Sequence, residues 1–313
     1  MTASHLRPPL PMHHVAALVS VTLAIGPLLS ALTAAEQSPQ QPAATEPDIA
    51  ALFERARSHS RGIGAPKDDA LAIKLYREAA DKGHAQAQHA MGIMLTKGRG
   101  APRDDVAARV WLLKAAEAGL PAAQYDLGWM LYFGHGGAME PTTAAFWFEK
   151  SAAQGTVQAQ VKLGELYYYG KAEVAPDKEK AATWIRKAAE AGDGWAQNML
   201  GVMLEKGQAM PQNTSQARDW FEKSAKQGDA TGQRNLIRLC ADGADGLPKS
   251  LVKALSWLMF RANLGEHTSQ AQVAELSKAV SEQELAEAKR QSEIIRDAQQ
   301  RRIEQKMPQL QRR

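Results

Sequence analysis

The sequence predicts an all-α fold: a right-handed α-α superhelical solenoid of about six helix-hairpin repeats, finished by a C-terminal closing helix pair. Three observations carry this expectation. Segments such as "AADKG", "AAEAG" and "SAKQG" end in glycines at positions 83, 119, 155, 192, 228 and 265, spaced by 36 or 37 residues. A tryptophan stands eight residues before each of the last five (Trp111, Trp147, Trp184, Trp220 and Trp257), with Leu75 in the first unit. A second glycine series runs Gly62, Gly98, Gly134, Gly170, Gly207 and Gly243, and a small residue followed by glutamine recurs from Ala87-Gln88 to Gly232-Gln233, then as Ser269-Gln270. Markers repeating in one register at this period are the signature of an array of supersecondary units.

The chain has 313 residues, 44% of them hydrophobic and only 6% aromatic, a balance that favours closely packed helices over a β-sandwich. Its formal charge of +4 is unevenly placed. From Lys289 to Arg313 there are eight Lys or Arg against three acids; with Arg7 set aside as well, the body is left near −2. A slightly acidic body gives no electrostatic reason to expect a nucleic-acid partner. Cys240 is the single cysteine, so no internal disulfide can form.

Residues 1–35 read as a targeting segment. A weakly basic opening precedes an uncharged run from Val15 to Ala35, and Thr33 and Ala35 suit a signal-peptidase cut before Glu36. The expected localisation is therefore periplasmic. About twenty apolar residues could also span a bilayer, so an uncleaved inner-membrane anchor facing the periplasm is the alternative. No cysteine follows the run, which excludes a bacterial lipoprotein. Residues 36–47 are rich in Pro and Gln and read as a linker.

The repeats are expected at 48–83, 84–119, 120–155, 156–192, 193–228 and 229–265. Each breaks into two helices. In the second unit Ala87, Met91, Met94 and Leu95 form one buried stripe at helical spacing, and Gly98 ends that helix. Asp104 announces the next helix as an N-cap, and the same offset from the tryptophan position holds Asp68, Glu140, Asp177, Asn213 and Ser250. Glu140 is a poor cap, but Pro141 suits a first helical turn. Gly92, Gly128, Gly164 and Gly201 fall in mid-helix, where glycine costs about 1 kcal/mol against alanine; close approach of the partner helix would justify them. The tryptophans are expected to fill the wider space between neighbouring units. Residues 266–299 read as polar capping helices, and 300–313 as a basic tail without a sustained apolar stripe, a helix fraying in solvent that could touch anionic lipid.

"AQVKLGELYYYG" and "KAATWIRKAAEAG" resemble the Sel-one-like repeats (SLR), relatives of the tetratricopeptide repeat, almost position for position. The likeness covers about residues 48 to 265. Departures are Ala56 and Ile237 in place of the mid-helix glycine of the first and sixth units, and Cys240 where Tyr167 stands in the fourth. The resemblance implies a non-catalytic protein–protein interaction scaffold that binds a peptide or protein on its concave face, lined by the first helices. A regulator of a membrane sensor kinase, or of exopolysaccharide or envelope machinery, is the narrower version. An enzyme that binds or hydrolyses β-lactams is the alternative of another class; it rests on repeat cysteines that this chain lacks. No cofactor or metal is expected, because no His/Cys cluster has ligand spacing.

The stretch "LGWMLYFGHGG" at 127–137 looks like a Gly-rich phosphate loop, yet its glycines are scaffold: Gly128 is a mid-helix glycine, Gly134 a helix terminator, and Gly136 matches Gly64 and Gly100. His135 sits at an exposed loop position shared with Arg99 and Lys171. Its aromatic residues are the candidate site. Tyr125, Trp129, Tyr132 and Phe133 of the third unit, with Glu165, Tyr168 and Tyr169 of the fourth, fall on the first-helix face away from the partner helix. Equivalent positions elsewhere are mostly polar, such as His89 and Lys97, or Asn198 and Glu205. Tyr and Trp anchor many interfaces, so an aromatic patch for a partner is expected; packing between adjacent units is the competing account, above all for Trp129 and Tyr132.

Overall fold

A computed structural model describes residues 45–244 and 247–310. The expected signal segment and residues 36–44 of the linker lie outside the described residues. Helix α1 (Glu46–Arg61) pairs with α2 (Asp69–Asp81), α3 (Ala85–Lys97) with α4 (Asp105–Glu117), and α5 (Pro121–Phe133) with α6 (Pro141–Ala153). The series continues with α7 (Val157–Tyr169) and α8 (Lys178–Glu190), α9 (Gly194–Lys206) and α10 (Thr214–Lys226), and α11 (Ala230–Asp242) and α12 (Leu251–Asn263). Helices α13 (His267–Leu276) and α14 (Glu282–Leu310) close the stack. The described residues form consecutive hairpins of a repeat solenoid and contain no strands, only two isolated bridges, Lys171 with Val174 and Ala244 with Leu247. Glu46 and Pro47, at the end of the expected linker, form the first turn of α1.

The thirteen-residue length shared by α2 to α12 follows from its start and stop signals. Oδ1 of Asp68, Asp104, Asp177 and Asn213 accepts the backbone N–H three residues on, each at 2.9 Å. Two expected caps differ. Ser250 makes no side-chain cap bond, and Glu140 caps nothing because its carboxylate is engaged by Arg109 of the preceding hairpin. Pro141, which brings no N–H to satisfy, opens α6 in place of a capped start. First helices exit through a glycine such as Gly98, at φ 63° and ψ 33°, a left-handed turn that L side chains resist.

The mid-helix glycines are explained by the residue that follows each tryptophan position. A methyl on Gly92 would lie 2.5 Å from Leu112, on Gly128 2.7 Å from Phe148, on Gly164 2.7 Å from Ile185 and on Gly201 2.6 Å from Phe221. Each glycine is thus a socket for one large side chain of its own hairpin partner, and those four side chains are fully buried. The close neighbour is that side chain more than the partner helix backbone.

The small-Gln marker also gains a physical role. Nε2 of Gln88, Gln124, Gln160 and Gln197 donates to the carbonyl oxygen of Ala80, Ala116, Ala152 and Ala189, at 3.1–3.2 Å, and Gln233 reaches Ala225 at 3.5 Å. The last carbonyls of a helix have no partner inside it, so each buried glutamine stitches one hairpin's end to the next hairpin's start. Trp220 lies between hairpins as expected, beside Arg186 and Glu190 of α8 and Leu200 and Leu204 of α9. Trp147 and Trp257 are buried, whereas Trp111, Trp184 and Trp220 are half-buried under the ammonium of Lys114, Lys187 and Lys223.

The C-terminal segment is helical as expected, but it docks on the array where fraying was expected. Helix α14 runs unbroken through residues 300–310, and its Ala288 and Ser292 are buried as it packs on α12. Gln299 Nε2 donates to the carbonyls of Ala225 (3.2 Å) and Lys226 (3.1 Å), and Arg302 Nη1 to Lys226 (3.1 Å). Spaced contacts on a long helix, without a continuous apolar stripe, are enough to hold it, which is why hydrophobic periodicity alone gave no sign of docking. No helix among the described residues is long and apolar enough to cross a membrane.

Candidate functional site

First helices of successive hairpins meet directly, α7 with α9 and α9 with α11, and so line the inner side of the stack. Polar pairs join successive first helices. His89 Nε2 lies 2.7 Å from Asp126 Oδ2, Asn235 donates to Asn198 at 2.8 Å, and Arg238 Nη2 donates to both carboxylate oxygens of Glu205 at 2.8 Å. This ladder crosses the face on which the aromatic candidates sit.

The structure brings the four aromatic residues of α5 together and divides their labour. Trp129 Nε1 donates to Tyr125 Oη at 2.7 Å. Tyr125 and Tyr132 lean on Phe148 of α6, at ring separations of 5.8 and 6.4 Å, and so belong partly to the hairpin core. Trp129 stacks on Phe133 (4.3 Å, 25°), and Tyr132 meets Phe133 edge-on at 4.9 Å. Phe133 is left 44% exposed. On α7, Tyr168 and Tyr169 form a second edge-to-face pair at 4.8 Å; Tyr169 is 63% exposed, while Tyr168 is half-buried and donates to Gln208 Oε1 at 2.9 Å. Burial raises the phenol pKa of Tyr125, Tyr132 and Tyr168, so all three remain donors at neutral pH. Glu165 is no free acid: Lys162 Nζ donates to its Oε2 at 2.5 Å.

Lysines that the sequence reading did not single out bind the two clusters. Lys162 of α7 lies 5.4 Å from the Trp129 ring centre, joining the α7 side of the site to α5. Lys171 sits 3.5 Å over Tyr132 and 4.9 Å from Phe133. Lys178 sits 3.1 Å over Tyr168 and donates to that residue's carbonyl at 2.7 Å. A signal for Lys171 existed. The loop position after the exit glycine folds back onto the preceding hairpin, as Arg99 does onto Asp69 and Ser60 and Gln208 onto Tyr168. His135, at the same position, is exposed and 6.1 Å from the Phe133 ring.

Elsewhere, Cys240 is buried in the core with its thiol pKa pushed up by burial, which makes it a packing group rather than a nucleophile. Among the described residues no three His, Cys, Asp or Glu side chains gather as metal ligands would. Open crevices of 660 Å³ between α12 and α14, and 560 Å³ between α11 and α13, lie at the closed end, apart from the aromatic face.

Comparison with known proteins agrees with this architecture. The profile of the Sel1 repeat matches residues 49–84, 85–120, 121–156, 157–193, 196–229 and 235–258. Among solved structures, the chain is similar to a Sel1 repeat protein from Oxalobacter formigenes, at 30% identity over 67% of this chain and 84% of that one, with a TM-score of 0.57. It is also similar to c5321, a protective antigen of uropathogenic Escherichia coli with an SLR fold (26% identity, 80% of this chain, TM-score 0.49), and spans 61% of that chain. The immunity protein Pa5087 of Pseudomonas aeruginosa is a further structural neighbour, at 22% identity over 67% of this chain and 76% of that one, with a TM-score of 0.37. No curated protein matches. With six repeats recognised over more than half its length, the chain belongs to the Sel1 repeat family.

Proposed function

We propose that this Sel1-repeat solenoid, a protein-interaction repeat fold, is a non-catalytic scaffold that captures a peptide or protein on its inner face, with Phe133 and Tyr169 as anchors and Trp129 as the support beneath Phe133. One observation supports this above the rest. Phe133 and Tyr169 end α5 and α7 with 44% and 63% of their surface exposed, although equivalent positions on other first helices hold residues such as Lys97 and Lys206, which need no burial. Two exposed aromatic rings on neighbouring helices gain little for the fold, whereas rigid aromatic residues contribute much area to an interface at low entropic cost. The packing account applies to Tyr125 and Tyr132, which touch Phe148.

The N-terminal segment supports a periplasmic site of action. Export with cleavage predicts a mature chain that begins at Glu36 and fractionates with soluble periplasmic protein; an intact N-terminus in the inner-membrane fraction would replace cleavage with anchoring.

The docking face is tested by the double variant Phe133→Ala/Tyr169→Ala. Its melting temperature should stay near the wild type, because neither ring is buried in the core, while capture of a periplasmic partner is lost. Unchanged capture would refute the assignment. Trp129→Ala makes the contrast: it removes the bond to Tyr125 and should lower both stability and capture.

A further inference from the structure

The inner face carries a second pattern, in charge. Across the third to fifth hairpins its carboxylates already have partners: Asp126 with His89, Glu165 with Lys162, Glu205 with Arg238. Lys171, Lys178 and Lys206 do not; among the described residues no carboxylate lies within ion-pair distance of any of them. Glu173, the acid nearest Lys171 in sequence, lies in the groove of Phe146 and Glu149, which Lys178 borders as well. Lys171 and Lys178 sit on the faces of Tyr132 and Tyr168, and Lys178 is held there by its bond to the Tyr168 carbonyl. Lys206 bears on Lys178: its charge, after desolvation, lowers the Lys178 pKa.

These positions decide what the rings can accept. A ring face attracts one cation, and here lysines of the chain itself already cover two of those faces. An incoming Arg or Lys would meet like charge at Tyr132 and Tyr168, the rings beside the anchors, which costs specificity-setting energy. The unused ammonium N–H groups favour anions.

We propose that the segment received by this face is an acidic peptide stretch, its carboxylates directed to Lys171, Lys178 and Lys206 and its apolar side chains to Phe133 and Tyr169. The inference rests on the docking assignment above and adds the chemical class of the partner.

Two fluorescein-labelled peptides separate the possibilities: one rich in glutamate with two phenylalanines, and its counterpart with lysine for every glutamate. Anisotropy titrations with the full chain should show the acidic peptide binding at least about tenfold tighter than the basic one, with affinity falling as salt rises. The variant Lys171→Glu/Lys206→Glu spares the Lys178–Tyr168 bond, and circular dichroism verifies its helix content; it should lose the preference or invert it. Equal binding of both peptides, or an acidic preference untouched by this charge reversal, would overturn the inference. The two readings also fail differently. If both peptides bind alike and Phe133→Ala/Tyr169→Ala abolishes both, the docking face stands and its acidic selectivity falls. If the acidic peptide binds that aromatic variant as well as it binds the wild type, the docking face itself falls and the inference with it.

Discussion

Placing a methyl on Gly128 would press it to 2.7 Å from two ring atoms of Phe148, a side chain with no exposed surface to retreat toward. Alanine gains about 1 kcal/mol of helix propensity over glycine, but overpacking a filled core costs about 1–3 kcal/mol. Steric crowding wins. Gly128→Ala should therefore destabilise by up to about 2 kcal/mol, read as a lower urea midpoint at unchanged m-value. Glu266 makes a prediction of another kind. Hydrogen bonds from the Arg261 guanidinium, then from Ser269, lower its carboxyl pKa from 4.5 to about 2. A depressed folded-state pKa stabilises above the unfolded value and loses that contribution as pH falls toward the folded one. The stabilisation by Glu266 is then complete at neutral pH and disappears between pH 4.5 and about 2. Glu266→Gln should be less stable than the wild type at pH 7, with the gap narrowing across that interval in urea titrations at stepped pH. A gap independent of pH would show that packing, not charge, makes the difference.

At the scale of elements, α14 is a strap and not a tail. Its Gln299 and Arg302 satisfy carbonyls at the end of α10, two hairpin positions back from the helix they follow. Removing them leaves the Lys226 carbonyl to water, at about 0.5–1.5 kcal/mol per bond, while the Ala225 carbonyl keeps the Gly228 N–H at 2.9 Å. The double variant Gln299→Ala/Arg302→Ala should lose about 1–2 kcal/mol and raise amide exchange in the last turn of α10 and the C-terminal half of α14, leaving α3 to α6 unaffected. Exchange unchanged at α10 would mean that α12 alone holds the strap. The buried glutamines act likewise at every earlier junction, which is why that marker follows the 36- or 37-residue period so closely.

For the whole described array, contacts run chiefly within a hairpin and to the next one along. Such a stack behaves as nearest-neighbour terms in one dimension. Gly128→Ala in the third hairpin and Gly201→Ala in the fifth press on Phe148 and Phe221, which belong to different hairpins. Their costs should add to within about 0.5 kcal/mol in equilibrium unfolding. A larger coupling would reveal cooperativity reaching across the intervening hairpin.

The repeat, its two helices per unit and most caps were legible in the residues, because period, glycine exits and Asp or Asn starts are local properties of the chain. Tyr125, Trp129, Tyr132, Phe133, Tyr168 and Tyr169 were legible as aromatic positions on the inner face, since helical spacing fixes direction. What spacing could not tell was which rings serve the core: Tyr125 and Tyr132 reach Phe148, whereas Phe133 and Tyr169 stay outside. Nor could it show Lys171 closing over Tyr132, Arg109 drawing Glu140 away from its cap, or α14 returning to α10. The sequence by itself determined the repeat and the direction of each side chain, because both depend on a few neighbouring residues and the helical pitch. Only the tertiary structure decided which side chains from different hairpins meet, because that depends on how far each hairpin is turned and shifted against the next, a geometry set by the packing of many residues at once.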